Sequence, residues 1–353
     1  MAHSLARTCL QEIAVTDAQR PRPRRHASAV IEGLGTWVPP RVVTNEELAR
    51  RLDTSDQWVR TRTGITERRF ADPGVSTMDL STEAGARAIK SAGGGECDAV
   101  IVGTTTPDRM LPGTAPEVAS RLGLPNVAAF DVQAVCTGFV YALANAAGLI
   151  AAGVAGRVLV IGADVLTPFI NPEDRGTAVI FGDGAGAVVV RAGQPDEPGA
   201  VGPVDLGSDG ENWALINVPA GGSRAPTARD NPPRDDFYLY MDGREVYRHA
   251  IPRMVASSQK VLDEAGWSVG DIDRFVGHQA NARILDAVGD RLGIPADRRV
   301  MNLDRYGNTA AATIPLALAD AGLSVNQRVL ITAFGGGLTW GSTVFTWPDL
   351  TSA

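Results

Sequence analysis

Uninterrupted runs of apolar residues recur along the chain and predict buried β-strands. A strand with one face in water alternates apolar and polar residues, whereas a strand covered by helices on both faces is apolar throughout. The runs here are of the second kind. The predicted strands are Ala29–Gly35, Ala99–Gly103, Ala128–Gln133, Arg157–Gly162, Arg274–Gly277 and Arg328–Ala333.

Helices are predicted between these strands from apolar periodicity and capping residues. Thr44 followed by Glu47, and Thr54 followed by Gln57, both match the capping box that opens a helix. The second of these helices places Trp58 on the turn next to Arg62. Longer helices are predicted over Ser81–Ala92, Gly138–Ala152 and Tyr247–Ala265.

A helix, a glycine and an apolar strand occur in this order twice, about 170 residues apart. This repeat predicts an α/β fold made of two similar halves rich in βαβ units. The boundary is expected near residues 195–205, where glycine, proline and charged residues interrupt the pattern. We therefore divide the chain into a disordered extension (1–28), an amino-terminal half (29–200) and a carboxyl-terminal half (201–353), with a long surface loop over 220–236.

Composition narrows the function classes. The chain has 353 residues, of which 44% are hydrophobic and 21% charged, and no apolar run is long enough to cross a membrane. A net charge of -7 disfavours a nucleic-acid partner. Three scattered cysteines suit a reducing compartment better than a disulfide framework, and residues 1–28 lack a secretory signal. We expect a cytoplasmic protein without a nucleic-acid or membrane partner.

Cys136 is the candidate nucleophile. It follows a predicted strand and precedes the long apolar helix that begins at Gly138. The positive end of a helix dipole lowers the pKa of a nearby thiol, which predicts a reactive thiolate. For a lone cysteine considered by itself, inert burial is the more common outcome.

His278 and Asn308 are the candidate partners. Of the four histidines, His278 alone stands at the end of a buried strand, where functional groups are commonly presented. Asn308 lies in a Gly-Asn turn that opens an alanine-rich helix. Each has a structural alternative, a buried core histidine and a plain helix cap.

Three short motifs together resemble one family. Val135–Phe139 (VCTGF), Gly277–Asn281 (GHQAN) and Tyr306–Thr309 (YGNT), in this order, are similar to beta-ketoacyl-acyl carrier protein synthase III. Further matches cover Asp53–Arg69, Phe181–Val190 and Ala333–Ser342, so that the resemblance extends from about Ala29 to Phe345.

The resemblance implies a thiolase-like fold, with duplicated βαβαβ halves in five αβαβα layers, and a homodimer. It also implies that Cys136 accepts an acyl group from an acyl-coenzyme A. The oxyanion formed in that step would be met by the backbone amides of Cys136 and Gly336, where glycine permits close approach.

The second substrate implied is malonyl-acyl carrier protein, whose decarboxylation leaves an enolate. His278 and Asn308 would donate hydrogen bonds to the enolate oxygen, and the enolate carbon would then attack the acyl group on Cys136. Acyl-coenzyme A and malonyl-acyl carrier protein are substrates in this scheme. It requires no cofactor and no metal.

The resemblance also assigns binding residues. Coenzyme A would be held by a stack of Trp58 and Arg175, with Arg62 at a phosphate and Asn281 at the pantetheine arm. Arg248 and Arg283 match positions that bind the acidic carrier protein, although a solvated helix face is an alternative reading of both.

Three positions concern the substrate pocket. Leu111 falls where the family places a residue that reaches across the dimer into the partner's acyl pocket, and leucine there suits a primer longer than acetyl. Thr137 and Gly277 depart from the alanine and proline common at these positions, and either would alter the pocket modestly.

Other functions are alternatives to that of a condensing enzyme that initiates fatty-acid synthesis. A starter-unit synthase or acyltransferase of polyketide synthesis would share the fold and the site. A cysteine hydrolase would pair Cys136 with a histidine base and admit water, and a non-catalytic relative would have lost Cys136. The glycine-rich run Gly182–Gly186 is read as a tight turn beneath the site, because it does not match a nucleotide-binding loop.

Overall fold

The computed structural model describes residues 28–226 and 233–350. Residues 1–27 of the predicted extension, and residues 227–232 of the predicted surface loop, lie outside the described residues. The strands are β1 Ser28–Trp37, β2 Arg41–Thr44, β3 Glu67–Phe70, β4 Ala99–Gly103, β5 Ala128–Val132, β6 Arg157–Asp164, β7 Gly184–Gly193, β8 Val204–Ser208, β9 Ile216–Asn217, β10 Tyr240–Met241, β11 Arg274–Gly277, β12 Arg328–Gly335 and β13 Thr339–Thr346. The helices are α1 Asn45–Ala49, α2 Asp56–Thr63, α3 Thr77–Ser91, α4 Ala115–Arg121, α5 Gly138–Ala151, α6 Arg175–Ala178, α7 Gly243–Ala265, α8 Ala282–Leu292, α9 Leu303–Tyr306 and α10 Thr313–Asp320.

Two mixed sheets carry the fold. The first has the order β1-β7-β6-β4-β5, in which β4 runs parallel to β5 and β6 while β7 runs antiparallel to β1 and β6. The second has the order β11-β12-β13-β8, in which β11 is parallel to β12 and β13 is antiparallel to β12 and β8. The small pairs β2-β3 and β9-β10 lie outside these sheets.

The second sheet repeats the strand pattern of the first. In each, a parallel pair (β4 and β6, or β11 and β12) is followed by an antiparallel strand (β7 or β13) and then by a further antiparallel strand (β1 or β8). A parallel bridge between Phe275 and Arg299 stands where β5 stands in the first sheet. The repeat seen in the sequence is therefore a repeat of topology. The division near residue 200 falls between β7 and β8 and stays a prediction.

Helices cover both faces of both sheets. One core cluster joins α3 to the outer face of the first sheet, and a second joins α7 and α8 to the outer face of the other sheet. The third cluster contains α5 and α10 together with strands of both sheets, so these two helices form a central layer. The five-layered αβαβα arrangement is therefore confirmed.

The apolar strand runs are explained by this layering. In β4, Ile101 packs in the central cluster while Val100 and Val102 pack in the outer one. In β12, Ile331 faces the central layer and Leu330 the outer layer. Because successive side chains point to opposite faces and both faces are covered, no position of these strands favours a polar residue.

Two glycines at strand ends let the central layer approach the first sheet. A Cβ atom on Gly162, in β6, would lie 2.4 Å from the carbonyl oxygen of Ala311. A Cβ atom on Gly103, at the end of β4, would lie 2.6 Å from the backbone of Gly138. Only glycine permits such contacts. They bring the segments that begin at Gly138 and end at Ala311 against the same edge of the sheet.

The first two helices, α1 and α2, are capped by Thr44 and Ser55. Thr44 caps α1 as predicted, since its side chain accepts a hydrogen bond from the Glu47 amide. The predicted cap Thr54 is wrong: Ser55 caps α2 and accepts from the amide of Trp58. The choice between two adjacent hydroxyl residues depends on which one has extended backbone angles, and that is set by the preceding turn.

The longer helices begin earlier than the sequence predicts. The helix placed at Ser81 begins at Thr77, with a capping box between Ser76 and Asp79, and the helix placed at Tyr247 begins at Gly243. Over residues 28–226 and 233–350, no helix combines the length and the apolar character that a membrane span requires.

Candidate active site

Cys136 lies in a tight turn between the first sheet and the central layer. A single 3₁₀ turn, Val135–Thr137, joins β5 to α5, and Val135 has a left-handed φ of 48°. A valine rarely adopts such an angle, so the turn is strained. The strain holds Cys136 at the amino end of α5, where the sequence predicts it, with 8% of its surface exposed.

The expected low pKa of the Cys136 thiol is wrong. Burial raises the pKa of Cys136 to about 12, and the nearby carboxylate of Asp164 adds to the rise. The position at a helix start is as predicted, but desolvation of a buried thiolate outweighs it. The thiol is therefore protonated in the free protein, and a nucleophilic Cys136 needs a group that accepts its proton.

His278 is placed by the second sheet. It follows β11 directly, its amide donates to the carbonyl oxygen of Thr332 in β12, and 4% of its surface is exposed. Its Nδ1 atom lies 2.7 Å from the hydroxyl of Thr313, and that hydroxyl also lies 3.0 Å from the carbonyl oxygen of Ala310. Burial lowers the pKa of His278 to about 3. A neutral imidazole with one nitrogen anchored on Thr313 leaves Nε2 for the reaction.

Asn308 is held by a crossing of two chain segments. Its amide donates to the carbonyl oxygen of Ile180, and its carbonyl oxygen accepts from the amide of Gly182. The side-chain Oδ1 accepts from the amide of Ala310 at 2.9 Å. That bond orients the side chain and leaves the Nδ2 hydrogens without an acceptor among the described residues.

The glycine run Gly182–Gly186 is structural, but the predicted tight turn is wrong for its second part, because residues 184–186 begin β7. Gly182 lies at the crossing itself. A Cβ atom on Gly182 would lie 2.4 Å from the carbonyl oxygen of Tyr306. Asp183, next to it, is buried and accepts hydrogen bonds from Ala71 and Thr167. The run therefore lets one strand connection pass beneath Asn308.

One cavity of about 500 Å³ brings the predicted site residues together. Cys136, His278 and Asn308 line it, although they come from three separate segments of the chain. The turn between β12 and β13 closes one side with Gly335, Gly336 and Gly337. The remaining lining is mainly apolar and includes Leu166, Phe181, Trp213, Ile216, Leu239, Met241, Met254 and Phe334.

The glycine that close approach requires is Gly335, beside the predicted Gly336. A Cβ atom on Gly335 would lie 2.8 Å from the amide nitrogen of Cys136, whereas one on Gly336 would touch only side chains at 3.3 Å or more. The turn formed by residues 335–337, which we call the glycine turn, thus packs directly on the turn Val135–Thr137, which we call the nucleophile turn. The assignment of the Cys136 and Gly336 amides as oxyanion donors stays a prediction.

A second cavity, of about 750 Å³, contains most of the predicted binding residues. Trp58, Arg62, Asn281, Arg248 and Arg283 all line it. The residues assigned to coenzyme A and those assigned to the carrier protein therefore share one groove, which we call the arginine groove.

Trp58 is the centre of the aromatic contact in the arginine groove. The guanidinium carbon of Arg62 lies 4.6 Å from its ring centroid, and that of Arg175 lies 4.7 Å away. Arg175 also donates to the carbonyl oxygen of Asp53. Both guanidinium groups therefore lie within cation–π distance of the same ring.

The polar residues of the groove have structural partners as well. Asn281 caps α8 by accepting from the Arg283 amide, and it donates to the carbonyl oxygen of Arg62. Arg283 donates to the carbonyl oxygen of Thr61, and Arg248 pairs with Glu245. Asn281 is therefore a helix cap in this structure, and its predicted contact with the pantetheine arm stays a prediction.

Arg244 is a groove residue that the sequence analysis missed. It lines the arginine groove near the start of α7. Like Arg62 and Arg283, it forms no ion pair with any described residue. The signal was available, since Arg244 is four residues before Arg248 and therefore one helical turn away.

Leu111 does not line either cavity of its own chain. It is 77% exposed, and its neighbour Met110 is 76% exposed. Two large apolar side chains adjacent at the surface are unusual for a loop that contacts only water. The predicted role of Leu111 across a dimer interface stays a prediction.

Gly277 and Thr137, the two departures from the family pattern, both have close neighbours in the structure. A Cβ atom on Gly277 would lie 2.3 Å from the side chain of Leu285, which fills the space beside the strand. Thr137 is fully buried and bonded to Thr339. No cluster of three or more His, Cys, Asp or Glu side chains with metal-ligand geometry occurs among the described residues.

Comparison with known proteins places this site in context. Residues 130–210 match the family model described as 3-oxoacyl-[acyl-carrier-protein] synthase III, and residues 262–347 match the model of its C-terminal part. The chain is 56% identical over 329 residues to beta-ketoacyl-[acyl-carrier-protein] synthase III 5 of Streptomyces coelicolor, covering 92% of this chain and 99% of that protein.

Solved structures agree with these matches. The crystal structure of 3-oxoacyl-(acyl carrier protein) synthase III from Pseudomonas aeruginosa superposes with a TM-score of 0.86 at 44% identity, covering 92% of this chain and 99% of that one. The priming beta-ketosynthase of the R1128 polyketide pathway gives the same TM-score at 33% identity, covering 95% of this chain and 100% of that one.

Proposed function

Because the chain belongs to the 3-oxoacyl-(acyl carrier protein) synthase III family, we propose that it condenses an acyl-coenzyme A primer with malonyl-acyl carrier protein through an acyl group held on Cys136. The enzyme is a beta-ketoacyl-acyl carrier protein synthase III, an acyltransferase of the thiolase superfamily. One observation carries the mechanism: Cys136, His278, Asn308 and the glycine turn line a single cavity.

The first half-reaction acylates Cys136. Its thiol is protonated at neutral pH, because burial raises its pKa to about 12, while His278 is neutral, because burial lowers its pKa to about 3. The imidazole takes the thiol proton as sulfur attacks the thioester carbonyl, and the departing coenzyme A thiolate receives that proton. The oxyanion that forms lies between the amides of Cys136 and Gly336.

The second half-reaction forms the carbon-carbon bond. Malonyl-acyl carrier protein loses carbon dioxide, and the two electrons of the broken bond become the enolate of its thioester. Between the half-reactions the imidazole exchanges protons with water and takes the tautomer with its hydrogen on Nε2, in which the Thr313 hydroxyl donates to Nδ1. Nε2 of His278 and Nδ2 of Asn308 then donate to the enolate oxygen; a donor of this kind contributes about 2.7 to 4 kcal/mol. The enolate carbon attacks the acyl group, and the sulfur of Cys136 leaves as a thiolate that takes a proton from water.

The substrate arms enter through the arginine groove in this proposal. Trp58 and Arg175 stack on adenine, Arg62 binds phosphate and Asn281 contacts pantetheine. Arg248 and Arg283 bind the acidic carrier protein. The support is that all of these side chains except Arg175 line one groove, and that Arg175 contacts the ring of Trp58 in it. The guanidinium groups are only partly paired with carboxylates. The scheme needs no cofactor, and we place the enzyme in the cytoplasm.

The working unit in this proposal is a homodimer. Met110 and Leu111 present an exposed apolar surface, and β5 is an edge strand of the first sheet whose backbone groups are open on one side. A second copy that covers both would place Leu111 at the acyl end of the partner's cavity.

Starter-unit synthesis for a polyketide is the second candidate. The likeness to a priming beta-ketosynthase over 95% of this chain favours it, although the identity of 33% is lower than that to the Streptomyces coelicolor synthase. The chemistry is the same in both, so the carrier protein separates them. Faster condensation with a polyketide carrier protein than with the fatty-acid one would favour this alternative.

Intact-protein mass spectrometry tests the proposed function. We expect wild-type protein to gain one acyl group from an acyl-coenzyme A and to lose it when malonyl-acyl carrier protein is added. Cys136→Ala gains none, whereas Cys97→Ala, which removes another buried cysteine, is acylated normally. Asn308→Ala is acylated but does not decarboxylate the malonyl group. An adduct on Cys136→Ala, or none on the wild type, would refute the proposal.

A further inference from the structure

Thr137 is buried beside the nucleophile but takes no place in the cavity. It follows Cys136 in the 3₁₀ turn, has no exposed surface and is absent from the cavity lining. Its hydroxyl lies 2.6 Å from the carbonyl oxygen of Ala134 and 2.8 Å from the hydroxyl of Thr339. Any effect of Thr137 on chemistry must therefore act through its partners.

Thr339 carries the contact to the glycine turn. It is the first residue of β13, directly after Gly335–Leu338, and its hydroxyl lies 3.0 Å from the carbonyl oxygen of Gly336. The same hydroxyl lies 3.2 Å from the carbonyl oxygen of Ala134. Two hydroxyls and two carbonyls thus join the nucleophile turn to the glycine turn, across 202 positions of sequence.

The hydroxyl groups of Thr137 and Thr339 have enough hydrogens to form the hydrogen bonds that join the two turns. The two hydroxyls have one hydrogen each, so one can bridge the hydroxyl oxygens while the other reaches a carbonyl oxygen. The carbonyl of Ala134 also accepts from the amide of Thr137, so it is satisfied when Thr137 donates to Thr339 and Thr339 donates to Gly336. In that arrangement the chain of donors runs from the nucleophile turn to the carbonyl of Gly336.

The oxyanion hole of the proposed function draws its two amides from these same two turns. The Cys136 and Gly336 amides stabilise the oxyanion only if both point at one position, and a small displacement of either weakens the effect. Gly335 already packs against the Cys136 amide. We infer that Thr137, through Thr339, is a positioning residue that fixes the glycine turn relative to the nucleophile; this inference rests on the proposed function.

The link between Thr137 and Thr339 acts on acylation and on the attack upon the acyl group, because both steps pass through this oxyanion. It leaves decarboxylation at His278 and Asn308 unchanged.

Thr137→Val tests the inference, because valine keeps the shape and removes the hydroxyl. We expect the rate of Cys136 acylation to fall about tenfold, within the effect of losing one oxyanion donor, and Thr137→Ser to restore it to within about twofold. The KM for acyl-coenzyme A and the rate of malonyl decarboxylation without primer stay at wild-type values, since the arginine groove and the enolate site are untouched.

Ser342→Ala is the matched control, because it removes another buried hydroxyl pair, formed by Ser342 of β13 and Thr332 of β12. It should lower the melting temperature without slowing acylation. Wild-type acylation rates in Thr137→Val, or an equal loss of acylation and decarboxylation, would overturn the inference. A wild-type protein that forms no acyl adduct would instead refute the proposed function.

Discussion

The reactivity of Cys136 depends on two opposing effects at a single sulfur atom. The start of α5 favours the thiolate, whereas burial and the carboxylate of Asp164 favour the thiol. Burial dominates and raises the pKa of Cys136 to about 12. A thiol that stays neutral until substrate arrives resists alkylation and oxidation, and it gives His278 the role of proton acceptor.

The pH dependence of alkylation tests this balance. We expect the rate at which iodoacetamide modifies Cys136 to rise about tenfold per pH unit from pH 6 to pH 10, because the thiolate fraction grows in that proportion below the pKa. Peptide mass spectrometry measures the rate at Cys136 separately from Cys97. A plateau between pH 7 and pH 8 would show that the helix start dominates, as the sequence predicts.

Trp58 gives a second prediction at the scale of one side chain. Trp58→Ala removes the ring that both Arg62 and Arg175 contact. We expect the KM for acyl-coenzyme A to rise about tenfold, since an aromatic or cation-π contact is worth about 1 to 2 kcal/mol. Turnover of an acyl N-acetylcysteamine thioester, which has no nucleotide, should be unchanged. An equal loss with both substrates would contradict a role in nucleotide binding.

At the scale of elements, the site depends on connections more than on helices and strands. Cys136 sits in a strained turn after β5, His278 follows β11, and Asn308 follows α9. All three lie at the ends of elements whose interiors are packed between layers. Short connections therefore determine where the reactive atoms are, and those beside Cys136 and Asn308 have left-handed φ values of 48° at Val135, 65° at Gly307 and 46° at Ala310.

Gly307→Ala tests the connection before Asn308. Gly307 has a φ of 65° and a ψ of -160°, and an added Cβ atom would lie 2.7 Å from the carbonyl oxygen of Ile180, which accepts from the Asn308 amide. We expect the free energy of unfolding to fall by about 2 kcal/mol or more and decarboxylation to be lost, while acylation persists.

Gly322→Ala is the control for backbone strain alone. Gly322 has a φ of 59°, and an added Cβ atom would meet nothing within 4 Å. This variant should cost roughly 1 kcal/mol in stability and leave both half-reactions intact. If Gly307→Ala decarboxylates malonyl-acyl carrier protein at the wild-type rate, the connection does not position Asn308.

At the scale of the whole molecule, the duplicated fold divides the residues of the proposed reaction between the two halves of the chain. The first sheet delivers Cys136, the second delivers His278 and the glycine turn, and Asn308 follows α9 in the carboxyl-terminal half. The central helices α5 and α10 hold the two sheets at a fixed separation. The cavity is the place where the corresponding edges of the two sheets meet.

Leu111→Asp tests the dimer. Placing a charge on the exposed apolar loop should shift the protein from dimer to monomer in sedimentation-velocity experiments at micromolar concentration, because an unpaired buried charge is costly at an interface. Val325→Asp, at another exposed apolar position, should remain dimeric. A wild-type protein that sediments as a monomer would exclude the proposed assembly.

Much of this protein is determined by its sequence alone, because the signals are local. The continuous apolar strands, the repeat about 170 residues long and the motifs around Cys136, His278 and Asn308 predicted the layered α/β fold and the family. These properties depend on side-chain period and on residues adjacent in the chain, so they can be read without coordinates. The six strands predicted from these runs all occur in the structure, as β1, β4, β5, β6, β11 and β12, whereas β7 and β13 were not predicted.

Other properties were decided only by the tertiary structure, because they depend on segments far apart in the chain. The pKa of Cys136 follows from its burial among residues of both halves, and the anchoring of His278 follows from Thr313, 35 positions away. The bond between Thr137 and Thr339 and the position of Arg244 in the groove have the same origin. Desolvation and contact at a distance have no local signature, so a sequence places a thiol at a helix start but does not weigh that position against its burial.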